Sequence, residues 1–513
     1  MAQVQVSNIQ KRMLLDLADE LEMKNAQART QALEKARREG WIVRSNQGNH
    51  TIELDRIDPE TGIPMYFISE SNLNAANTMG TQKLWPGGTL GLSLTGAGIN
   101  VGEWDGGAVR GTHQEFGSRV TQVDGATTLS DHATHVAGTI MATGVQSASK
   151  GMAYEANLRA YDWNSDGTEM ATAAANGLLL SNHSYGYLTG WYYNSSDASW
   201  YWYGDTSKSS SIDSRFGYYD ATAQSWDQIA FNAPNYLIVK SAGNDRGEGP
   251  AAGATHKVNR GGSWVLSTVT REKDGGTTGY DCISYNGVAK NILTIGAVNI
   301  ISGGYTTPSS VVMSSFSGWG PTDDGRIKPD VVSPGVSLYS AGSASNTSYT
   351  TKSGTSMASP AATGSLLLVQ QHANNVRGSY LRAATLKGLT IHTADEAGTT
   401  TGPDYRFGWG LINTSKAAEV ISNANFQNII RENTLSNGTV QTVRVYSDGT
   451  SPLKATICWA DPAATPNTLT LNNRAPRLIN DLDVRIYREG TSDSIFPYRL
   501  DPANPANAAT TVD

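Results

Sequence analysis

At 513 residues the chain exceeds one ordinary core, so one large and at least one small domain are expected. Its 39 Lys and Arg against 46 Asp and Glu leave a net charge of −7 without a long basic cluster, which argues against a nucleic-acid partner. With 17% charged and 39% hydrophobic residues, 53 glycines and no apolar run long enough to cross a bilayer, the composition is that of a compact, loop-rich globular protein.

Residues 1–7 lack the basic and apolar regions of a signal peptide, so the chain is either cytosolic or starts after a removed signal. Residues 8 to 39 read as an amphipathic helix with Leu14, Leu15, Leu17, Ala18 and Leu21 on its apolar side, ending at Gly40. Strands are predicted at 41–43, 51–54 and 65–68, separated by turn residues at 47–48 and 59–62. Together they make a small α+β module, residues 1–78.

From about Gly80 the texture turns to glycine-rich α/β alternation. The stretch 96–107 reads as a strand stopping at Asp105 before Gly106-Gly107. Function gathers at the carboxyl ends of strands in open parallel sheets, which suits Asp105 for chemistry, although an Asp before two glycines also suits a plain turn. His132 and His135 follow at i and i+3 on a predicted helix. No third ligand of suitable spacing accompanies them, so His132 is read as the exposed helix start and His135 as a hydrogen-bonded core residue in preference to a zinc pair.

Two further strand ends carry polar tips, Ser184-Tyr185-Gly186 and Ala242-Gly243-Asn244. A side-chain amide at Asn244 is what an oxyanion hole needs. Between them, residues 187–226 hold 12 of the 42 aromatic residues of the chain. Two readings stay open for this insertion: a sticky subsite wall, or a loop packing its own rings as a satellite core. A second insertion covers 245–290, a buried strand follows at 291–298, and 320–335 is rich in turns. Asp323 and Asp324 are candidate calcium ligands there, with an exposed turn as the alternative. The only cysteines, Cys282 and Cys458, are far apart and read as free thiols.

In residues 351–370 small residues surround Ser356, Pro360 follows one turn later, and an apolar run begins. This pattern predicts a loop entering a buried helix, with Ser356 at the amino end where unpaired amides and the helix dipole favour an oxyanion. A serine cap on a core helix would look the same. Beyond a short helix ending near Ser422, the segments 439–446, 453–459 and 481–487 alternate as sandwich strands do, and residues 425–513 read as a β-sandwich domain, apparently truncated.

The segments around Asp105, His132 and Ser356 resemble those of the subtilisin-like serine proteases, in that family's Asp, His, Ser order. Gly354-Thr-Ser-Met-Ala-Ser-Pro360 is the most specific match, supported by 132–138, 241–244 and 320–330. The resemblance implies a mostly parallel sheet flanked by helices over residues 79–424, and the trailing β-region looks like that of the KP-43-like branch. It implies Ser356 as nucleophile, His132 as general base, Asp105 as its orienting acid and Asn244 as oxyanion donor. It further implies Ser184, Tyr185, Gly186, Ala242 and Gly243 as the substrate-binding segments, Tyr185 narrowing the pocket rim where Leu is common.

The expected activity is that of a secreted, monomeric serine endopeptidase acting on proteins or peptides, with large apolar or aromatic residues before the cut bond. Residues 1–78 are read as a self-removed prosegment. No cofactor is needed for the chemistry; structural calcium is an expectation of the resemblance, with Asp323, Asp324, Asp481 and Asp483 as candidates. Gly106 departs from the usual Thr or Ser, and Ala133 from the usual Gly, which leaves the hydrogen bonding around Asp105 open. The competing readings are a non-catalytic subtilase-like binding protein, and an esterase, which the absence of Gly-x-Ser-x-Gly disfavours.

Overall fold

A computed structural model describes residues 7–47, 50–59, 61–68, 75–424 and 426–511. The chain opens with α1 (Asn8–Glu39), capped by the Ser7 side chain and ended by Gly40 in the left-handed region. Trp41 belongs to that helix end and not to the expected strand: its amide bonds to the Ala36 carbonyl at 3.0 Å and its ring is buried. The strands are instead β1 (Arg44–Gln47), β2 (His50–Ile57) and β3 (Pro64–Ile68), followed by a single helical turn, α2 (Ala75–Thr78).

The large domain alternates strand and helix. In order come β4 (Asn100–Asp105), β5 (Val120–Gln122), α3 (Asp131–Met141), β6 (Asn157–Asp162), α4 (Asp166–Ala175), β7 (Leu180–His183) and β8 (Gly186–Tyr187). Then follow β9 (Trp191–Asn194), β10 (Ser199–Trp202), α5 (Ala221–Asn232), β11 (Leu237–Ser241), β12 (His256–Arg260), β13 (Ser263–Ser267), β14 (Leu293–Val298) and β15 (Val331–Pro334). A hairpin of β16 (Leu338–Ala341) and β17 (Tyr349–Lys352) leads into α6 (Thr355–Arg377), α7 (Ala383–Thr393) and α8 (Thr414–Ser422).

Seven strands form one parallel sheet in the order β15-β14-β11-β7-β4-β6-β5. Helices cover both faces, so the inner strands are buried nearly end to end, as in β4 from Val101 to Asp105. One face packs on α3 and α6 through Val101, Leu180, Val136, Met357 and Leu366; α6 is buried continuously from Thr355 to Gln370. The other packs Trp104 and Ile238 on α4 and α5. The order reverses between β4 and β7, so the crevice of such a sheet opens at their carboxyl ends.

The N-terminal module is built into this domain. Leu14, Ala18 and Leu21 of α1 join the core of α4 and α5, and β3 pairs antiparallel with β8, Phe67 opposite Tyr187 and Ile68 opposite Gly186. A four-stranded sheet β1-β2-β3-β8 thus crosses the boundary expected at residue 78. The two insertions form their own sheet, β13-β12-β10-β9. Its rings pack as satellite cores: Trp191 and Trp202 around Val258, and Tyr203 with Tyr192, Tyr201 and Trp264 against Ala32, Trp41 and Tyr66 of the module. The rings of the aromatic insertion are thus packed as core, against the second insertion and the N-terminal module as well as one another.

The C-terminal sandwich is not formed among the described residues. Segments 439–446 and 453–459 have no ladder partner, and the pairing found there is that of β18 (Ile486–Tyr487) with β19 (Ser494–Ile495), antiparallel, and an isolated antiparallel bridge between Arg499 and Thr510. Alternating apolar residues make a strand only where a second layer buries them, and Val440 and Tyr446 are each 91% exposed. The likeness to the KP-43-like branch therefore stays an expectation of the sequence. What ties this region down is Asp461, paired with Lys290 and bonded to Asn291 through both main-chain groups at 2.8 Å.

Candidate active site

β4 stops at Asp105 because the chain must turn through Gly106-Gly107. A Cβ on Gly106 would come 2.8 Å from the Trp163 ring, and Gly107, at φ +135°, would bring one 2.7 Å from the Thr128 carbonyl. The space that Thr or Ser would fill at 106 is therefore taken by Trp163. Asp105 is still hydrogen-bonded, its Oδ1 accepting from the Gly106 amide at 2.6 Å.

His132 is the second residue of α3, whose first turn is capped by Ser130 accepting from the Ala133 amide at 3.0 Å. Its Nδ1 lies 2.9 and 2.7 Å from the two oxygens of Asp105, and both side chains are buried. With Nδ1 donating to the carboxylate, Nε2 is left with its lone pair, the form a general base requires. His135 is a core residue as expected, its Nε2 3.3 Å from the Leu338 carbonyl.

Ser356 is the second residue of α6. Pro360 lies four residues on and has no N–H, so the helix cannot supply the Ser356 carbonyl with its usual donor. The Ser184 hydroxyl does so at 2.6 Å, and the Ser356 hydroxyl donates in return to the Ser184 carbonyl at 3.0 Å. Asn182 braces the exchange from β7, its amide donating to Ser184 Oγ at 2.9 Å while its Oδ1 accepts from Ser359 at 2.7 Å. Asn244 is fixed by its carbonyl end, which accepts from the amide and hydroxyl of Thr355 at 2.8 and 3.0 Å. Its NH2 is the end left to face a substrate beside Ser356.

Register brings the two groups together. Trp104 of β4 is opposite His183 of β7, so Asp105 and Ser184 follow as neighbours at the carboxyl ends of adjacent strands. Of the segments expected to bind substrate, Gly243 accepts from the Gly318 amide at 2.9 Å and gives its own amide to Thr355 Oγ1 at 3.2 Å, next to the buried Ala242. Gly186 forms the edge paired to β3. Tyr185 departs from expectation: its ring is 1% exposed, its hydroxyl donates to Asp166 at 2.8 Å and meets His183 Nδ1 at 2.9 Å, so it belongs to the core and not to a pocket rim.

The charged groups around this floor are unusual. Glu103 is on the same face of β4 as Asp105, 1% exposed, with no hydrogen-bond partner for either oxygen; burial, then the Asp105 charge, hold its carboxyl well above the ordinary range. Burial pushes Asp166 up to about 6 and the Lys240 ammonium, under Gly186, down to about 7. From the module, Arg44 pairs with Glu53 and donates to the Gly106 carbonyl, and Trp163 donates to Glu53 at 3.1 Å. Sequence reading marked Glu103 only as a departure from the usual small or apolar residue, and missed Asn182 and Arg44; the polar run 181–184 in an interior strand was a legible signal for Asn182.

Among the calcium candidates, Asp324 pairs with Arg326 at 2.8 Å, Asp481 and Asp483 are exposed, and Asp323 is buried, not in an exposed turn. Both cysteines are free.

The sequence model of the subtilase family matches residues 110–410, a span that holds His132, Asn244 and Ser356. A protein of Dictyostelium discoideum named serine protease/ABC transporter B family protein tagA is 30% identical over 230 residues, 37% of this chain and 13% of that protein. The C5a peptidase of Streptococcus pyogenes is 45% identical over 65 residues, 13% of this chain and 6% of that protein. The chain thus spans no more than about an eighth of these curated relatives. The structure of the Clostridium perfringens CspB protease superposes with a TM-score of 0.49 at 16% identity, covering 69% of this chain and 99% of that one.

Proposed function

This chain belongs to the subtilase family, and from that premise we propose that it is a serine endopeptidase working through an acyl-enzyme. His132 Nε2 takes the proton of Ser356 as Oγ attacks the scissile carbonyl, then gives it to the leaving amine; Asp105 holds the Nδ1 proton and stabilises the imidazolium. The negative oxygen of the tetrahedral intermediate is received by the Asn244 NH2 and the Ser356 amide, with the positive end of α6 behind them. Water activated by His132 then releases the acyl group. The observation that carries the reading is the buried Asp105–His132 pair, a carboxylate gripping Nδ1 of an imidazole at 2.7 and 2.9 Å.

Substrate backbone would lie along Gly186 and Gly243 as an added strand, with large apolar or aromatic side chains preferred before the cut bond. That β3 already occupies the Gly186 edge supports residues 1–78 as an inhibitory prosegment lying in the place of substrate. The enzyme is proposed to act outside the cell as a monomer, because a broad protease endangers the cell that makes it. Among the described residues no helix is long and apolar enough to cross a membrane.

The test is labelling of wild type and Ser356→Ala by a fluorophosphonate, with and without the N-terminal module. A stoichiometric adduct on Ser356, absent from the variant, is expected, together with hydrolysis of a protein substrate. No adduct on folded protein in either form would retire the proposal, and cleavage of short esters alone would make the protein an esterase.

A further inference from the structure

His132 and Ser356 stand on separate helices, α3 and α6, so proton transfer between them depends on what holds the start of one helix against the start of the other. Asp131, the first residue of α3, directly precedes His132, and Lys352, the last residue of β17, is four residues before Ser356. Their side chains meet: Lys352 Nζ lies 2.7 Å from Asp131 Oδ2, with the Lys352 side chain 6% and that of Asp131 43% exposed. The other carboxylate oxygen, Oδ1, accepts from the Ser343 amide at 2.6 Å, in the link between β16 and β17. Burial by itself would raise the Asp131 carboxyl; the Lys352 ammonium and the Ser343 amide outweigh it and hold the group below its ordinary range.

The rest of α3 is fitted to the same hairpin. Ser340 of β16 donates to the His135 carbonyl at 2.8 Å, and His135 Nε2 is 3.3 Å from the carbonyl of Leu338, the register partner of Lys352. The approach is close enough to need Gly138, where a Cβ would strike Ser340 Oγ and lie 3.0 Å from the Ala341 nitrogen. From Lys352 to Ser356 the chain has little slack. Ser353 Oγ accepts from the Ser337 amide at 2.8 Å, the Gly354 amide donates to the Gly335 carbonyl at 2.8 Å, and Thr355 is held by Asn244. An acid in the first turn of α3 suits the helix dipole wherever it points. That does not account for Lys352, a buried ammonium that is costly unless a carboxylate meets it. Such a pair adds little net stability over an apolar pair of the same size, so what it contributes is one fixed geometry.

We propose that the Asp131–Lys352 ion pair sets the distance and angle between His132 and Ser356, as a brace that runs from the neighbour of the base to the strand entering the nucleophile's helix. Both are positioning residues, acting through His132 and Ser356 and touching neither substrate nor the reacting atoms. The inference rests on the protease reading and adds to it the means by which two separate helices are held in register for proton transfer.

The test compares wild type with Asp131→Asn, with Lys352→Met and with the double variant, each expressed as the full chain; the substitutions remove charge and keep most of the shape. The rate at which a fluorophosphonate acylates Ser356 reads base and nucleophile without a peptide contact, and kcat and KM are taken on a peptide substrate. Each single variant should lower the labelling rate and kcat at least about tenfold with KM within about twofold, and the double variant should be no slower than the slower single one, because the two changes remove one interaction. Lys257→Met, which breaks the pair with Asp197 in the insertion sheet, should leave all three quantities unchanged. A shift in denaturation midpoint of the folded variants without a change in labelling rate would make the pair structural only and overturns the proposal. So does a loss confined to KM, which would make Lys352 a substrate contact, and so do losses that multiply in the double variant. If Lys352→Met does not fold, Asp131→Asn decides alone. Wild type that takes no label retires the protease reading and this inference with it; wild type and variants labelling at one rate retire this inference alone.

Discussion

Pro360 removes the donor that an unbroken helix would give to the Ser356 carbonyl, and the repair comes from Ser184 on another element. Ser184→Ala removes that donor from a buried carbonyl, which should cost about 1–3 kcal/mol of stability by urea denaturation and lower kcat by loosening Ser356. An unchanged midpoint and rate would show that the exchange is incidental. In the proposed mechanism Asn244→Ala removes a donor to the developing oxyanion, so kcat should fall about 10²- to 10³-fold with little change in KM. A loss confined to KM would mean that Asn244 binds ground-state substrate only.

Glu103 gives a pH-dependent prediction. Its pKa is raised in the folded protein, so native Glu103 holds its proton over a range where the unfolded chain has released it. Its contribution is fully present below the unfolded value, about 4.3, and is lost as pH rises through the folded value. Glu103→Gln keeps the shape without the titration. The variant should therefore gain stability over wild type as pH rises above the unfolded value, about 4.3, read as a difference in denaturation midpoint that widens with pH. A constant difference would place the proton elsewhere.

At the scale of elements, α1 has two contact zones. Leu14, Ala18 and Leu21 dock on the core of α4 and α5, while Ala32 and Ala36 meet the aromatic insertion. Leu14 is fully buried, so Leu14→Ala should destabilise the chain by about 2–5 kcal/mol in denaturant. The helix itself was legible from its period, its Ser7 cap and its Gly40 stop, because those signals are local. What it packs against was not, since the insertion that receives it lies more than a hundred residues away. The strands expected at 439–446 and 453–459 failed for the converse reason: alternation is local, but the layer that would bury their apolar side is not there in the described residues.

At the scale of the whole molecule, the module and the large domain share a sheet, two cores and the Arg44 contact to the Gly106 turn. Self-processing predicts that intact-mass measurement finds wild type shortened by about 70–80 residues at its N-terminus, while Ser356→Ala retains them. An active enzyme that keeps the module would refute removal and make it a permanent part of the cleft.

The sequence by itself determined the parallel α/β domain and the candidates Asp105, His132, Asn244 and Ser356, because each stands where a strand ends or a helix begins, and such ends are written in adjacent residues. Only the tertiary structure decided that Tyr185 turns inward to Asp166 and His183, that Asp323 is buried, and that the aromatic insertion receives the N-terminal module. Burial and partnership are made by residues distant in the chain, and no local pattern carries them.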